Sequence, residues 1–183
     1  NVDHMVLKTN VLDKDSIQQA ADEIMSEYGR IDILINGAGG NKAEATTGPD
    51  QSFFDLPEDA VKWVFNLNFL GTFLTSQVFG EIFADQEEGD ILNISSMNAF
   101  TPLTKIPAYS AAKASVSNFT KWLAVHMSDN YSTNIRVNAI APGFLLTEQN
   151  RFLLIDEKED DLTDRGQTII DHTPMDRFGD PED

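Results

Sequence analysis

The sequence reads as an α/β protein: a doubly wound parallel sheet of the Rossmann-like, three-layer kind, with helices on both faces. Three observations lead there. Short apolar runs alternate with segments whose apolar residues recur at helical spacing. The order strand, helix, strand, helix, strand, helix, strand implies right-handed crossovers between parallel strands. Ser96 follows the apolar run Ile91 to Ile94, at the strand end where open α/β sheets bind their ligands.

Met5 to Val11 reads as a first short strand. Asp13 then caps a helix running to Tyr28, because Ile17, Ala20, Ala21, Ile24 and Tyr28 share one face, and Gly29 ends it. Ile31 to Ile35 is a continuous apolar run of the kind found in strands buried on both faces. Behind it, Asn36-Gly37-Ala38-Gly39-Gly40 has almost no side-chain bulk, so a flat ligand or another backbone can approach closely. An ordinary turn is the plainer reading of those residues. A polar loop leads to Pro57 and a long helix ending near Asp85, with Val61, Val64, Phe65, Asn68, Gly71, Thr72 and Thr75 on one stripe. The Asn68 amide in that stripe must find partners, either core neighbours or a polar relay. Asp90 to Ile94 is the next strand, followed by the Ser96 loop and a helix from Pro107 to about Asp129. Proline suits the first turn of that helix, where its missing N–H costs nothing. Asn134 to Ile140 is a further strand, broken by Ala141-Pro142-Gly143. Beyond it, Phe144 to Ile155 and Leu162 to Thr173 read as short helices joined by a mobile acidic loop, and residues 144–175 are expected to form a substrate lid. Arg177 to Asp183 looks like the approach to another helix. No repeat or linker divides the chain, so residues 1–183 are expected to form one domain.

At 183 residues and 41% hydrophobic content the chain can bury a sizeable core. It has neither an apolar run of membrane-spanning length nor a signal segment, so a cytoplasmic location with no membrane partner is the simplest expectation. The absence of cysteine excludes disulfides, a thiol nucleophile and thiolate metal sites. His4, His126 and His172 are scattered, so no metal centre is expected. A net charge of −17 argues against nucleic acid or an anionic membrane as a partner. The acidic run Asp156 to Asp164 reads as a solvated segment.

The residues that carry chemistry are Ser96, Tyr109 and Lys113. Tyrosine and lysine four residues apart on a helix share one face, so the ammonium can favour the ionised phenol. An isolated tyrosine titrates near ~10, too high for easy proton exchange at neutral pH.

With Asn68 added, the chain from Val6 onward resembles the short-chain dehydrogenase/reductase family. The Tyr-x-x-x-Lys pair is weak by itself; the conjunction carries the resemblance. Asn36-Gly-Ala-Gly39, Asn68 with Gly71, Ser95-Ser96, a tyrosine at 109 and a lysine at 113, and Asn138 with Pro142-Gly143 arrive in the family's order. The resemblance implies an enzyme in which Tyr109 is the general acid/base and Ser96 holds the substrate oxygen. Lys113 would lower the tyrosine pKa and bind the nicotinamide ribose, and Asn68 would hold a water linking Lys113 to solvent. It implies NAD or NADP as cofactor, contacted by Asn10, Val11, Asn36, Gly37, Ala38, Gly39, Tyr109, Lys113, Pro142, Gly143, Leu145 and Thr147. Gly37 departs from the family's usual second asparagine, and Asn10 stands where an aspartate often meets the adenine. The family's opening strand with its Gly-rich phosphate turn, and its final strand, have no counterpart here. The chain is therefore expected to be incomplete at both ends, with the residue that separates NAD from NADP upstream of Asn1.

Within the family, Asn36 to Asn41 with Ala45-Thr-Thr47, Ser96 to Phe100 with Pro102 to Tyr109, and Gly143 to Arg151 resemble the bacterial D-mannonate oxidoreductases, or fructuronate reductases. That implies a sugar-acid substrate, D-mannonate or D-fructuronate, met by Ser96, Asn98, Tyr109, Gln149, Asn150 and Arg151, with Arg151 on the carboxylate. Lys42 and Lys105 flank the same site. Two other readings stay open: a reductase of another sugar or ketone, and a non-catalytic binding or structural relative. The two long helices resemble those the family pairs across a two-fold axis, so a homo-oligomer, dimer or tetramer, is expected, with Trp63, Phe69, Phe73, Trp122 and Val125 as apolar contacts.

Overall fold

The computed structural model describes residues 4–101, 105–147, 150–156, 161–180 and 182–183. The chain divides into two units, Asn1–Ala141 and Pro142–Asp183.

In the first unit, helix α1 (Lys14–Tyr28) starts where the Asp13 carboxylate accepts from the N–H groups of Asp15 and Ser16. It stops where Gly29 takes a φ of 74°, a left-handed conformation that a Cβ disfavours. Strand β1 (Ile33–Asn36), helices α2 (Glu58–Phe65) and α3 (Gly71–Gln86), strand β2 (Gly89–Ile94), helix α4 (Pro107–Asn130) and strand β3 (Ile135–Ile140) follow. The three strands are parallel in the order β1-β2-β3, with Asn36 beside Asn93 and Asn93 beside Ala139. The α/β class expected from the sequence is present.

The strands sort their side chains by alternation. Leu34, Ile91, Ile135 and Val137 face the helices and pack with Ile24 and Met25 of α1, Phe83 of α3, and Leu123 and Met127 of α4. Ile33 and Ile35 point the other way and are each 61% exposed. The apolar run of β1 predicts burial on both faces, but among the described residues of this unit the helices cover only one.

Two further differences from the sequence reading have plain causes. Residues 4–10 form no strand, and Val6 is 87% exposed; a ladder needs a neighbour to pair with, and no described strand lies alongside. The long helix expected over Pro57 to Asp85 is helical throughout but interrupted by a π-helical turn, Asn66–Leu70, between α2 and α3. Such turns insert a residue into the helix and re-aim the side chains that follow.

The second unit holds a short helix α5 (Arg151–Leu154), the paired two-residue strands β4 (Ile155–Asp156) and β5 (Asp161–Leu162), and helix α6 (Asp164–Asp171). Thr163 caps α6 by accepting from the Gly166 N–H. Leu154 packs so tightly here that a Cβ on Gly166 would lie 2.3 Å from its carbonyl oxygen. Among the described residues no helix is long and apolar enough to cross a membrane.

Candidate active site

The candidate residues of the first unit gather at the C-terminal ends of β1 and β2. The ends of these strands are locked by amides. Asn36 donates to Asn93 Oδ1 at 2.8 Å and to Ser76 Oγ at 3.1 Å, and accepts from Thr75 at 2.5 Å; Asn93 donates onward to Thr120 at 2.9 Å. Buried polar groups need such partners. The Asn36 side chain, placed by sequence among the cofactor contacts, is thus committed to the interior. The loop beyond it carries Gly37, Ala38 and Gly39.

Asn68 lies fully buried in the π turn and faces that loop. Its amide donates to Gly40 O at 2.6 Å and Val64 O at 2.7 Å, and accepts from Gly40 N at 3.1 Å. One turn on, Gly71 brings α3 against Val11: a Cβ there would stand 2.9 Å from Val11 Cγ2. The same stretch of helix therefore holds both loops expected to meet the cofactor. Asn10 closes a turn in front of α1, its Oδ1 accepting from Leu12 N at 3.1 Å.

Lys113, on α4, donates from Nζ to Ile94 O at 2.6 Å, so it is pinned to the last residue of β2. A Cβ on Gly39 would approach Asn68 Oδ1 to 2.7 Å and Lys113 Nζ to 3.4 Å, whereas one on Gly37 would meet nothing within 4 Å. Lys113 and Asn68 thus border one glycine, and the backbone two residues earlier is open. Ser95 donates to Lys113 O and is bonded to Ser117, which makes it the structural serine of the pair.

Ser96 caps the single turn Met97–Ala99. Its hydroxyl is close enough to the Tyr109 phenol to favour the ionised phenol, but burial outweighs it and holds the Tyr109 pKa above its ordinary value. The pull that the sequence reading expects from Lys113 is not among the causes of this shift. The Lys113 amine lies over the ring face, 5.5 Å from its centroid, and burial lowers its own pKa to about 8. With a pKa of about 8 the amine is still mostly protonated at neutral pH. Asn98 is buried between Ser96 and Ser110. Lys42 stands over the Trp63 ring at 5.3 Å, and the Lys105 carbonyl accepts from Thr47 N at 2.8 Å.

In the second unit, Leu145 pairs with Gly179. Asn150 accepts from Thr147 N at 2.8 Å and donates to Leu145 O at 2.7 Å, so its amide closes the loop that contains both. Arg151 makes no ion pair among the described residues. Pro142 and Gly143 open the unit, and Gln149 lies outside the described residues. Sequence reasoning passed over Ser110, Asn93 and the π turn. Only the spacing of Ser110 one residue after Tyr109 hinted at the first.

A half-buried tyrosine beside a serine hydroxyl and a strand-tethered lysine can exchange a proton with a ligand oxygen at the sheet's C-terminal edge. Residues 1–158 match the family described as short chain dehydrogenase, and the chain belongs to this family. It is 50% identical over 182 residues to the uncharacterized oxidoreductase UxuB of Bacillus subtilis, covering 95% of this chain and 64% of that protein. It is 34% identical over 170 residues to the 2-dehydro-3-deoxy-D-gluconate 5-dehydrogenase of Escherichia coli, covering 92% of this chain and 61% of that protein. Among solved structures it superposes with a TM-score of 0.88, at 49% identity, on a Haemophilus influenzae protein provisionally named a D-mannonate oxidoreductase and crystallised with NAD. That match covers 97% of this chain and 66% of the other. The chain therefore spans just under two thirds of the length of these relatives.

Proposed function

We propose that the protein is an NAD(P)-dependent oxidoreductase that interconverts a secondary alcohol and a ketone, with D-mannonate and D-fructuronate as its substrate pair. The observation that carries the reaction class is the meeting of Ser96, Tyr109 and Lys113 at the end of β2. The sugar-acid reading rests on the names of the relatives above and on Arg151, a cation available to a carboxylate.

The residues present fit the nicotinamide end of the cofactor: open backbone at Gly37, and the Lys113 amine beside Gly39 for the ribose hydroxyls. When bound, the cofactor exchanges a hydride with the carbinol carbon. In the reducing direction Tyr109 gives its phenolic proton to the carbonyl oxygen while the Ser96 hydroxyl hydrogen-bonds to that oxygen and stabilises its growing charge. Lys113 then favours the resulting phenolate, and Asn68 holds the water through which the proton is restored. In this reading residues 144–175 serve as the substrate lid. Two copies pair through the α2–α3 and α4 helices.

The test is a substrate panel on the full-length protein: sugar acids, neutral ketoses and simple ketones, each with NAD(H) and NADP(H). Turnover should favour D-mannonate and D-fructuronate. Tyr109→Phe should abolish it while leaving cofactor affinity within about two-fold, because the phenol acts on the reacting oxygen rather than in ground-state binding. A variant with unchanged rate would refute the mechanism, and preference for neutral ketones would refute the substrate.

A further inference from the structure

Ser96 and Tyr109 lie on different elements, and a hydrogen-bond chain joins them. Ser110, next to Tyr109 on α4, donates its proton to Ile106 O at 3.1 Å. Having spent its proton, it can only accept from Asn98 Nδ2, 3.5 Å away. That sets the orientation of the Asn98 amide: its NH2 faces α4, and its oxygen faces Ser96. The Ser96 hydroxyl donates to Asn98 Oδ1 at 3.5 Å, while the Asn98 backbone N–H donates back to Ser96 Oγ at 3.3 Å. Asn98 is 8% exposed, so this arrangement is shielded from solvent. The Ser96–Asn98 bond is long for a hydroxyl donor, whose usual distance is about 2.7–2.8 Å. A long bond is easily surrendered to a better acceptor.

We propose that Asn98 is a positioning residue for Ser96. Its side-chain oxygen holds the Ser96 proton until a substrate oxygen takes it over, and its NH2 ties the serine's loop to the turn of α4 that bears Tyr109. The role rests on the reading above in which Ser96 and Tyr109 do the chemistry, and it differs from direct substrate contact. While Asn98 holds the Ser96 proton, that proton is partly withheld from Tyr109, so Ser96 favours the ionised phenol less than it could. Without that acceptor the hydroxyl turns and donates to the phenolate.

The test needs no substrate. The titration of Tyr109 in the full-length protein is read from tyrosinate absorbance, as the difference from Tyr109→Phe. Asn98→Ala should lower the Tyr109 pKa by roughly half a unit to one unit, the scale of one altered hydrogen bond. Ser110→Ala, which leaves Asn98 in place but frees its amide to turn, should move it the same way by less. In a Ser96→Ala background, Asn98→Ala should leave Tyr109 unmoved. No shift with Asn98→Ala, or the same shift in both backgrounds, would overturn the proposal, since a merely structural asparagine acts without regard to Ser96. In turnover, Asn98→Ala should lower kcat about ten-fold with KM nearly unchanged, somewhat less than loss of a whole oxyanion donor. A rise in KM with kcat intact would instead mark substrate contact. If D-mannonate and D-fructuronate prove inert, the substrate assignment fails, and the titration still decides the role of Asn98.

Discussion

Gly39 has no room for one more carbon. A Cβ would stand 2.7 Å from Asn68 Oδ1, closer than real Cβ atoms come, and 3.4 Å from Lys113 Nζ. Gly39→Ala should therefore displace the two side chains that border the proposed ribose site, costing about 1–3 kcal/mol of stability as overpacking does and, on that proposal, weakening cofactor binding. Gly37→Ala, with nothing within 4 Å, should leave stability nearly unchanged; thermal melts and cofactor titrations of the pair give the comparison. Lys113 carries a pH signature of its own. Burial brings its pKa to about 8 in the folded chain, against about 10.4 when unfolded. Between those values the unfolded state binds more protons, so stability should rise as pH climbs from about 8 to 10. Above that range Tyr109, whose pKa is raised on folding, contributes with the opposite sign. Lys113→Met should remove the rise, as urea unfolding at stepped pH would show; an identical slope in the variant would refute burial of the charge. That Ser96, Tyr109 and Lys113 would lie close together was legible in the sequence, because Tyr109 and Lys113 share a helix face and Ser96 stands at a strand end. The direction of the Asn36 side chain was not, because Thr75, Ser76 and Asn93, which hold it, lie 39, 40 and 57 residues away.

At the scale of elements, the π turn Asn66–Leu70 sets the depth of the site. By widening the helix it brings the Asn68 amide to the backbone of Gly40, and hence positions the glycine loop. Asn68→Ala would leave the Gly40 N–H and carbonyl without that partner. Gly40 is only partly buried, so the loss in denaturant melts should be at most about 1–3 kcal/mol, the cost of one fully buried unpaired group, with amide exchange at Gly40 speeded. A destabilised variant with Gly40 still protected would assign the loop's order to something other than Asn68. Helical stripe counting placed Asn68 on the buried face but missed the insertion, since one extra residue barely disturbs the pattern over a few turns. The first helix shows the opposite case. Asp13 and Gly29 specify its ends through contacts within a few residues, so its bounds could be read directly. Met5 to Val11 has strand-like composition, yet a strand exists only with a neighbour, and composition does not supply one.

For the whole molecule, the proposed pairing of two copies needs an apolar surface. Two candidates stand out among the described residues of the first unit. One is the uncovered sheet face with Ile33, Ile35 and Ile140; the other is a chain of rings along α3 and α4. There Phe69, Phe73 and Phe119 pack with centroids 5.2–6.1 Å apart, Phe119 stacks on Trp122 at 6.3 Å, and Trp122 on His126 at 4.7 Å. Its inner rings are held by the helices, while Trp122 is 55% exposed and Val125 61%. Rigid aromatic anchors with a supported base are what association surfaces use, whereas an open face of parallel strands is a core surface awaiting cover. Trp122→Glu should therefore shift the full-length protein toward monomer in analytical ultracentrifugation, with little loss of fold by circular dichroism because the ring is only half buried. Ile33→Thr with Ile35→Thr should leave the mass unchanged. The reverse pattern, dispersal by the isoleucine changes and none by Trp122→Glu, would move self-association to the sheet face.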